Sequence, residues 1–81
     1  MDSYIAVIGI IVEDRNSVQR TNSLLHEYSQ YTIGRLGLPY QKKNLSIISI
    51  VVDAPEDVIK SLSEKLEAVE GIRTKILNTQ V

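Results

Sequence analysis

Four stretches of the chain have the hydrophobic pattern of β-strands. β-Branched residues dominate residues 4–12 and 45–52, and residues 72–77 alternate between apolar and polar side chains. Residues 33–39 form the remaining strand, and their two glycines and terminal proline favour an edge of the sheet, where a missing amide is tolerated. A short polar link, residues 40–44, joins this strand to the next and predicts a hairpin.

Two amphipathic helices are predicted between these strands. The first ends near residues 29–31, and Asp14 or Asn16 can cap its start. The second begins at Pro55, which suits a first helical turn, and Gly71 is the expected residue just past its end. Apolar side chains recur at helical spacing in both: Val18, Thr21, Leu24, Leu25 and Tyr28 in the first, and Val58, Ile59, Leu62, Leu66 and Val69 in the second.

The order of these elements predicts the fold. Strand, helix, strand, strand, helix, strand is the split βαβ pattern. Right-handed crossovers place both helices on one face of a four-stranded antiparallel sheet, with the two long apolar strands at its centre. We therefore predict an α+β fold of the ferredoxin-like βαββαβ type, a two-layer sandwich formed by a single domain over residues 1–81.

The two central strands are apolar on both sides, although helices can cover only one face of a sheet. Each strand divides into two alternating apolar sets: Tyr4, Ala6, Ile8, Ile10 and Val12 against Ile5, Val7 and Ile11 in the first, and Ile48, Ile50 and Val52 against Ile47 and Val51 in the third. An open apolar face of several hundred Å² is rare on a monomer. We predict a homo-oligomer, either dimer or tetramer, with Ile8, Ile10, Ile48 and Ile50 as candidate interface residues.

The composition of the chain also favours a homo-oligomer. A chain of 81 residues has a marginal core, and the absence of Cys leaves oligomerisation as the main way to stabilise it. The net charge of −1 gives no support for binding nucleic acid. The apolar run at residues 5–12 is too short to cross a bilayer and lacks a basic segment before it, so we expect a cytoplasmic protein with no membrane contact.

Several segments resemble a small family described as regulators of iron-only hydrogenase systems. These segments are Asn22–Ser29, Ile33–Pro39 and Asn44–Ile48, with Val12–Arg15 before them and Gly71–Lys75 after them. The resemblance implies an ACT-like fold, similar to the C-terminal regulatory domain of the nickel-responsive repressor, which assembles through its sheet. It also implies a regulatory role and a homo-oligomer.

The chain departs from the nickel-responsive repressor in two respects. The repressor has a DNA-binding domain ahead of its regulatory domain, whereas only Met1 to Ser3 precede the first predicted strand here. The repressor's metal site uses several His and a Cys, whereas this chain has one His and no Cys. We therefore expect neither direct contact with nucleic acid nor a nickel site of that type, and we predict no metal and no cofactor.

Seven residues are candidates for contacting a small-molecule effector: Glu13, Asp14, Arg15, Asn16, His26, Arg35 and Gly37. The first four form a loop near which the resemblance implies ligand binding at a subunit interface, although helix capping also accounts for them. His26 is either a surface histidine or half of an intersubunit metal site. Arg35 lies beside glycines that let a ligand approach closely, but it also suits an edge strand as a charge that discourages aggregation.

The motifs of common enzymes are missing from the sequence. It has no glycine-rich phosphate loop and no nucleophile–His–acid set. We predict a non-catalytic regulatory module that acts through a protein partner or a small-molecule effector. Two alternatives stay open: a structural or assembly protein without a small ligand, and a dimeric α+β-barrel enzyme.

Overall fold

The computed structural model describes residues 3–81 and has the predicted α+β, ferredoxin-like architecture. The elements are β1 (Tyr4–Val12), α1 (Val18–Glu27), β2 (Thr32–Tyr40), β3 (Leu45–Ala54), α2 (Glu56–Glu67) and β4 (Ile72–Gln80). All neighbouring strands are antiparallel, in the order β2-β3-β1-β4. The long apolar strands β1 and β3 therefore lie at the centre and β2 lies at an edge, as predicted.

The core lies between the sheet and both helices. Its members share one side of the central strands and the inner stripes of the helices: Ala6, Ile8, Ile10, Val12, Ile48, Ile50, Val52, Ala54, Leu24, Leu25, Tyr28, Ile59, Leu62, Leu66 and Val69. Thr21 is also buried, and its hydroxyl donates to the Ser17 carbonyl oxygen at 2.7 Å. The hydroxyl of Thr21 is therefore hydrogen-bonded although it lies in the apolar core.

The predicted interface residues were assigned to the wrong face. Ile8 and Ile50 pair across β1 and β3 and are 0% and 1% exposed, while Ile10 and Ile48 are 1% and 4% exposed. All four pack beneath the helices, because β-strand alternation places them on the same side as the helix-covered Ala6. They belong to the core, and the opposite side of the sheet is the open one.

Several element ends differ from the predicted ones. Short 3₁₀ turns, Arg15–Ser17 and Ser29–Tyr31, flank α1, and Asp14 caps the first by accepting from the Asn16 amide at 2.9 Å. β4 continues to Gln80, where the sequence pattern ended at residue 77. β4 is longer than predicted because its polar residues 78–80 pair with Ala6, Ile5 and Tyr4 of β1.

Gly71 does not end α2. That helix ends at Glu67, and Gly71 has a φ of +79° in the turn that leads into β4. Its carbonyl oxygen accepts from the amides of Glu13 and Asp14, at 2.7 and 3.2 Å. The glycine therefore joins the β1–α1 loop to the start of β4.

Replacing Gly71 with Ala is expected to destabilise the protein by at least about 2 kcal/mol. A positive φ costs an L-residue about 1–2 kcal/mol, and the added Cβ would collide with the Cβ of Asp14. Urea unfolding at a fixed protein concentration measures the effect. Gly37→Ala is the matched control, because a Cβ there meets no atom within 4 Å; equal stability losses in the two variants would contradict the explanation.

Candidate functional site

The open face is the side of the sheet that the helices leave uncovered. The strand register shows which residues lie on it, since directly paired residues share a face: Ile5, Val7, Gly9 and Ile11 of β1, Leu45, Ile47, Ser49, Val51 and Asp53 of β3, Gly34, Leu36, Leu38 and Tyr40 of β2, and Arg73, Lys75, Leu77 and Thr79 of β4. Exposure is high for aliphatic side chains, at 36% for Val7, 57% for Leu36 and 69% for Leu77. The open face is therefore a mainly apolar surface.

Three neighbouring rows of paired residues cross the middle of the open face. One outer row contains Leu38, Ile47 and Ile11 and ends at Arg73, and the other contains Val51, Val7 and Leu77. The middle row has Ser49 and Gly9 at its centre, between Leu36 and Lys75. Two aliphatic ridges therefore border a shallow strip whose centre carries almost no side-chain volume.

Positive charge marks one border of the open face. Arg73 and Lys75 lie on β4, and the Arg73 Nε donates to the Glu13 Oε1 at 2.8 Å. This contact with Glu13 raises the pKa of Arg73. Glu13, which the sequence offers as a candidate ligand contact, therefore pairs with Arg73 at the border of the sheet.

A groove runs along the other side of the sheet, between α1 and the edge strand β2. Two hollows of about 120 and 180 Å³ lie between Val18 and β2 and make up this groove, and an open hollow of about 560 Å³ lies beside Val18 on α1. It exists because the two helices leave β2 uncovered, and every residue of β2 from 33 to 40 is exposed. The hairpin after β2 closes one end of the groove, at Gln41 and Asn44.

The groove contains three of the seven candidate effector contacts, and a fourth lies beside it. Arg15 lines the groove from the turn before α1, and Arg35 and Gly37 line it from β2. His26 lines the adjoining hollow on α1. The Arg35 guanidinium donates to the Asn22 Oδ1 across the groove. Sequence analysis did not single out Asn22, because its role depends on α1 lying beside β2.

The remaining candidates do not line the groove. Glu13 pairs with Arg73, and Asp14 caps the turn before α1 through the Asn16 amide. Asn16 therefore takes part in the turn that Asp14 caps, in line with the alternative that this loop serves to cap the helix. As effector contacts, all seven residues stay predictions.

The described part of the chain contains neither a cluster of metal-ligand side chains nor a membrane-spanning helix. Within residues 3–81, no group of three or more His, Asp or Glu side chains could hold a metal ion. No helix in that range has the length and apolar character needed to cross a membrane.

Comparison with models of protein families shows which family the chain belongs to. The model of the family described as "TM1266-like: Iron-only hydrogenase system regulator, putative" matches residues 4–76. The chain belongs to this family. A solved structure of the TM1266-like family, the uncharacterized protein TM1266 from Thermotoga maritima, is 35% identical, with a TM-score of 0.88. That match covers 94% of this chain and 96% of TM1266.

More distant structures share the fold alone. The apo form of CPII from Thiomonas intermedia K12, a nitrogen regulatory PII-like protein, is 18% identical with a TM-score of 0.58, over 96% of this chain and 91% of that one. A structure of CPII bound to ADP, AMP and bicarbonate is 19% identical with a TM-score of 0.52, over 100% and 99% of the two chains. No curated protein matches the sequence.

Proposed function

We propose that this TM1266-like chain is a non-catalytic regulatory module that works in the cytoplasm as a homo-oligomer and controls an iron-only hydrogenase system. Residues 1–81 form its single domain, which contacts neither membrane nor nucleic acid. The family supports the regulatory role, and the PII-like neighbours show that regulatory proteins use this fold. The observation that carries the proposal is the apolar open face.

The size of the open face supports a stable contact. Its exposed aliphatic side chains form a contiguous apolar patch, and the largest such patch on a protein often marks an interaction site. A standard protein interface buries about 800 Å² on each partner, with an apolar centre and a polar rim. Arg73 and Lys75 at the border supply such a rim.

The pattern of the open face favours a second copy of the chain as the partner. In a two-fold contact, each surface meets itself in reversed orientation. An axis near Gly9 and Ser49 would place the ridge with Val7 against the ridge with Ile11. Because the strip between these ridges is shallow, the two sheets could approach closely without side chains colliding at the axis.

Sedimentation velocity on the purified protein tests this assembly. The wild type is expected to be a dimer or tetramer at micromolar concentration. A lone folded monomer at that concentration would overturn the proposal. Deleting the gene in a host with an iron-only hydrogenase is expected to change hydrogenase transcript or activity, and unchanged levels would overturn the assigned pathway.

Gly9→Val is expected to weaken assembly about tenfold while preserving the fold. An added Cβ at Gly9 lies 4.0 Å from its nearest neighbour, the Lys75 carbonyl oxygen, so the subunit accommodates it. The branched side chain would fill the shallow strip and force the sheets apart, at a cost of about 1–3 kcal/mol. Sedimentation and circular dichroism measure the two effects, and an unchanged association constant would rule out an axis at this position.

A further inference from the structure

The charged side chains that line the groove between α1 and β2 are cations. Arg15 and Arg35 line it, and no carboxylate among residues 3–81 does. The whole chain has a net charge of −1, so this concentration of basic groups is local. A groove lined by basic groups attracts anions.

The two arginines are not paired with carboxylates of the described residues, whereas Lys65 and Arg73 are. Lys65 lies 3.5 Å from a Glu27 carboxylate oxygen, and Arg73 is paired with Glu13. Arg15 and Arg35 form no ion pair within residues 3–81. Their charge is therefore not neutralised by a neighbouring carboxylate in the described part of the chain.

Asn22 holds Arg35 in place without neutralising it. The contact uses the neutral Asn22 side-chain oxygen as acceptor. A guanidinium has five N–H donors in a planar fork that matches carboxylate and phosphate oxygens. With its plane fixed by Asn22, Arg35 retains donors for a ligand at lower entropic cost than a freely rotating side chain.

The floor of the groove leaves room for the body of a ligand. Gly37 has no heavy atom within 4 Å of where a Cβ would lie, and Pro39 follows it on the same side of β2. Val18 and Ile48 add apolar surface beside them. Basic groups at the rim and an apolar floor together suit a small molecule with an anionic head and a flat or short apolar body.

We propose that the groove between α1 and β2 binds a small organic anion, whose carboxylate or phosphate group contacts Arg35. This inference rests on the proposed regulatory function, for which the anion is the effector. Arg35 and Gly37 lie on the helix side of β2, whereas the open face lies on the other side; Leu38 and Ile47 touch both surfaces at the edge of the sheet. Ligand binding through Arg35 and assembly through the centre of the open face can therefore be removed separately.

Amide NMR titration of the full chain tests the site with three probes that share one aromatic ring. These are phenyl phosphate, benzoate and the neutral benzyl alcohol, and fragments of this size bind in the millimolar range. We expect at least one anion to shift the signals of Gly37 and Asn22, while benzyl alcohol leaves them in place. Preference for phosphate or for carboxylate identifies the head group. No shift with either anion overturns the proposal.

Two variants locate the bound anion, each with a separate readout of folding. Arg35→Gln is expected to weaken binding at least about tenfold, since a charge-assisted hydrogen-bond pair is lost. Arg20→Gln removes an equal charge from α1 outside the groove, where Arg20 faces α2, and is expected to bind normally. Gly37→Leu fills the floor and is expected to abolish binding with its NMR spectrum still that of a folded protein.

The outcomes separate this inference from the assembly proposal. A wild-type oligomer that binds neither anion overturns the groove site and leaves assembly intact. A monomer that binds an anion through Arg35 supports the groove and overturns assembly. Equal binding by wild type and Arg35→Gln shows a nonspecific ion and also overturns the site.

Discussion

Val7→Asp is expected to convert the proposed homo-oligomer into a folded monomer. Val7 lies in one of the two aliphatic ridges of the open face and is 36% exposed in a single subunit. Its cross-strand neighbours are Val51 and Leu77, so an aspartate there finds no cation directly opposite. In an assembled pair, each subunit would bury one unpaired carboxylate, which costs about 3–5 kcal/mol.

That cost corresponds to a loss of at least about 100-fold in association. In the lone subunit the carboxylate stays in water, and the change in stability is expected to stay within about 1 kcal/mol, the span of strand propensities. Sedimentation velocity reports the mass, and thermal unfolding reports the stability of the subunit.

Gln30→Asp is the matched control for Val7→Asp. It adds the same charge at an exposed residue of the turn after α1, outside the strands that form the open face. We expect this variant to assemble like the wild type. If Val7→Asp also assembled normally, the open face could not be the interface.

The element order could be predicted from the sequence because strand and helix periodicities are local signals. β1 and β3 are rich in β-branched residues, and the inner stripe of each helix recurs at three- and four-residue steps. With six elements in this order, crossover handedness leaves few topologies. The same signals say little about irregular segments, so the 3₁₀ turns and the polar end of β4 were not predicted.

Periodicity alone could not show which face of the sheet the helices cover. Alternation shows that Ile8 and Val7 lie on opposite faces, but both faces of β1 are apolar. One signal for the choice was present in the sequence. The core face has only apolar residues along β1, whereas Gly9, Ser49 and Asp53 interrupt the other, and a face with such gaps is less suited to the subunit core.

The groove could not be predicted from the sequence, because it depends on contacts between distant parts of the chain. Arg35 and Asn22 are 13 residues apart, and their hydrogen bond requires α1 to lie beside the uncovered edge strand. The glycines of β2 gave a partial signal, since they indicated open backbone. Nothing local distinguished them from Glu13 and Asp14, whose side chains are used for an ion pair and a turn cap.

Ile8→Asp is expected to prevent folding altogether. Ile8 is 0% exposed, pairs with Ile50 and Ile76 on the neighbouring strands, and lies beneath the helices. The substitution removes a buried aliphatic side chain, which costs about 2–5 kcal/mol as a cavity. It also buries a carboxylate without a partner, at several kcal/mol more. Together these costs reach the whole stability of a typical domain, about 5–15 kcal/mol.

The comparison with Val7→Asp makes this prediction discriminating, because the two variants introduce the same charge at adjacent positions of β1. Circular dichroism should show an unfolded chain for Ile8→Asp and native content for Val7→Asp. Ile8→Val keeps the core apolar and is expected to lose only about 0.5–1.5 kcal/mol. A folded monomer from Ile8→Asp together with an unfolded Val7→Asp would mean that the helices cover the other face, and the open-face interface would fall with that assignment.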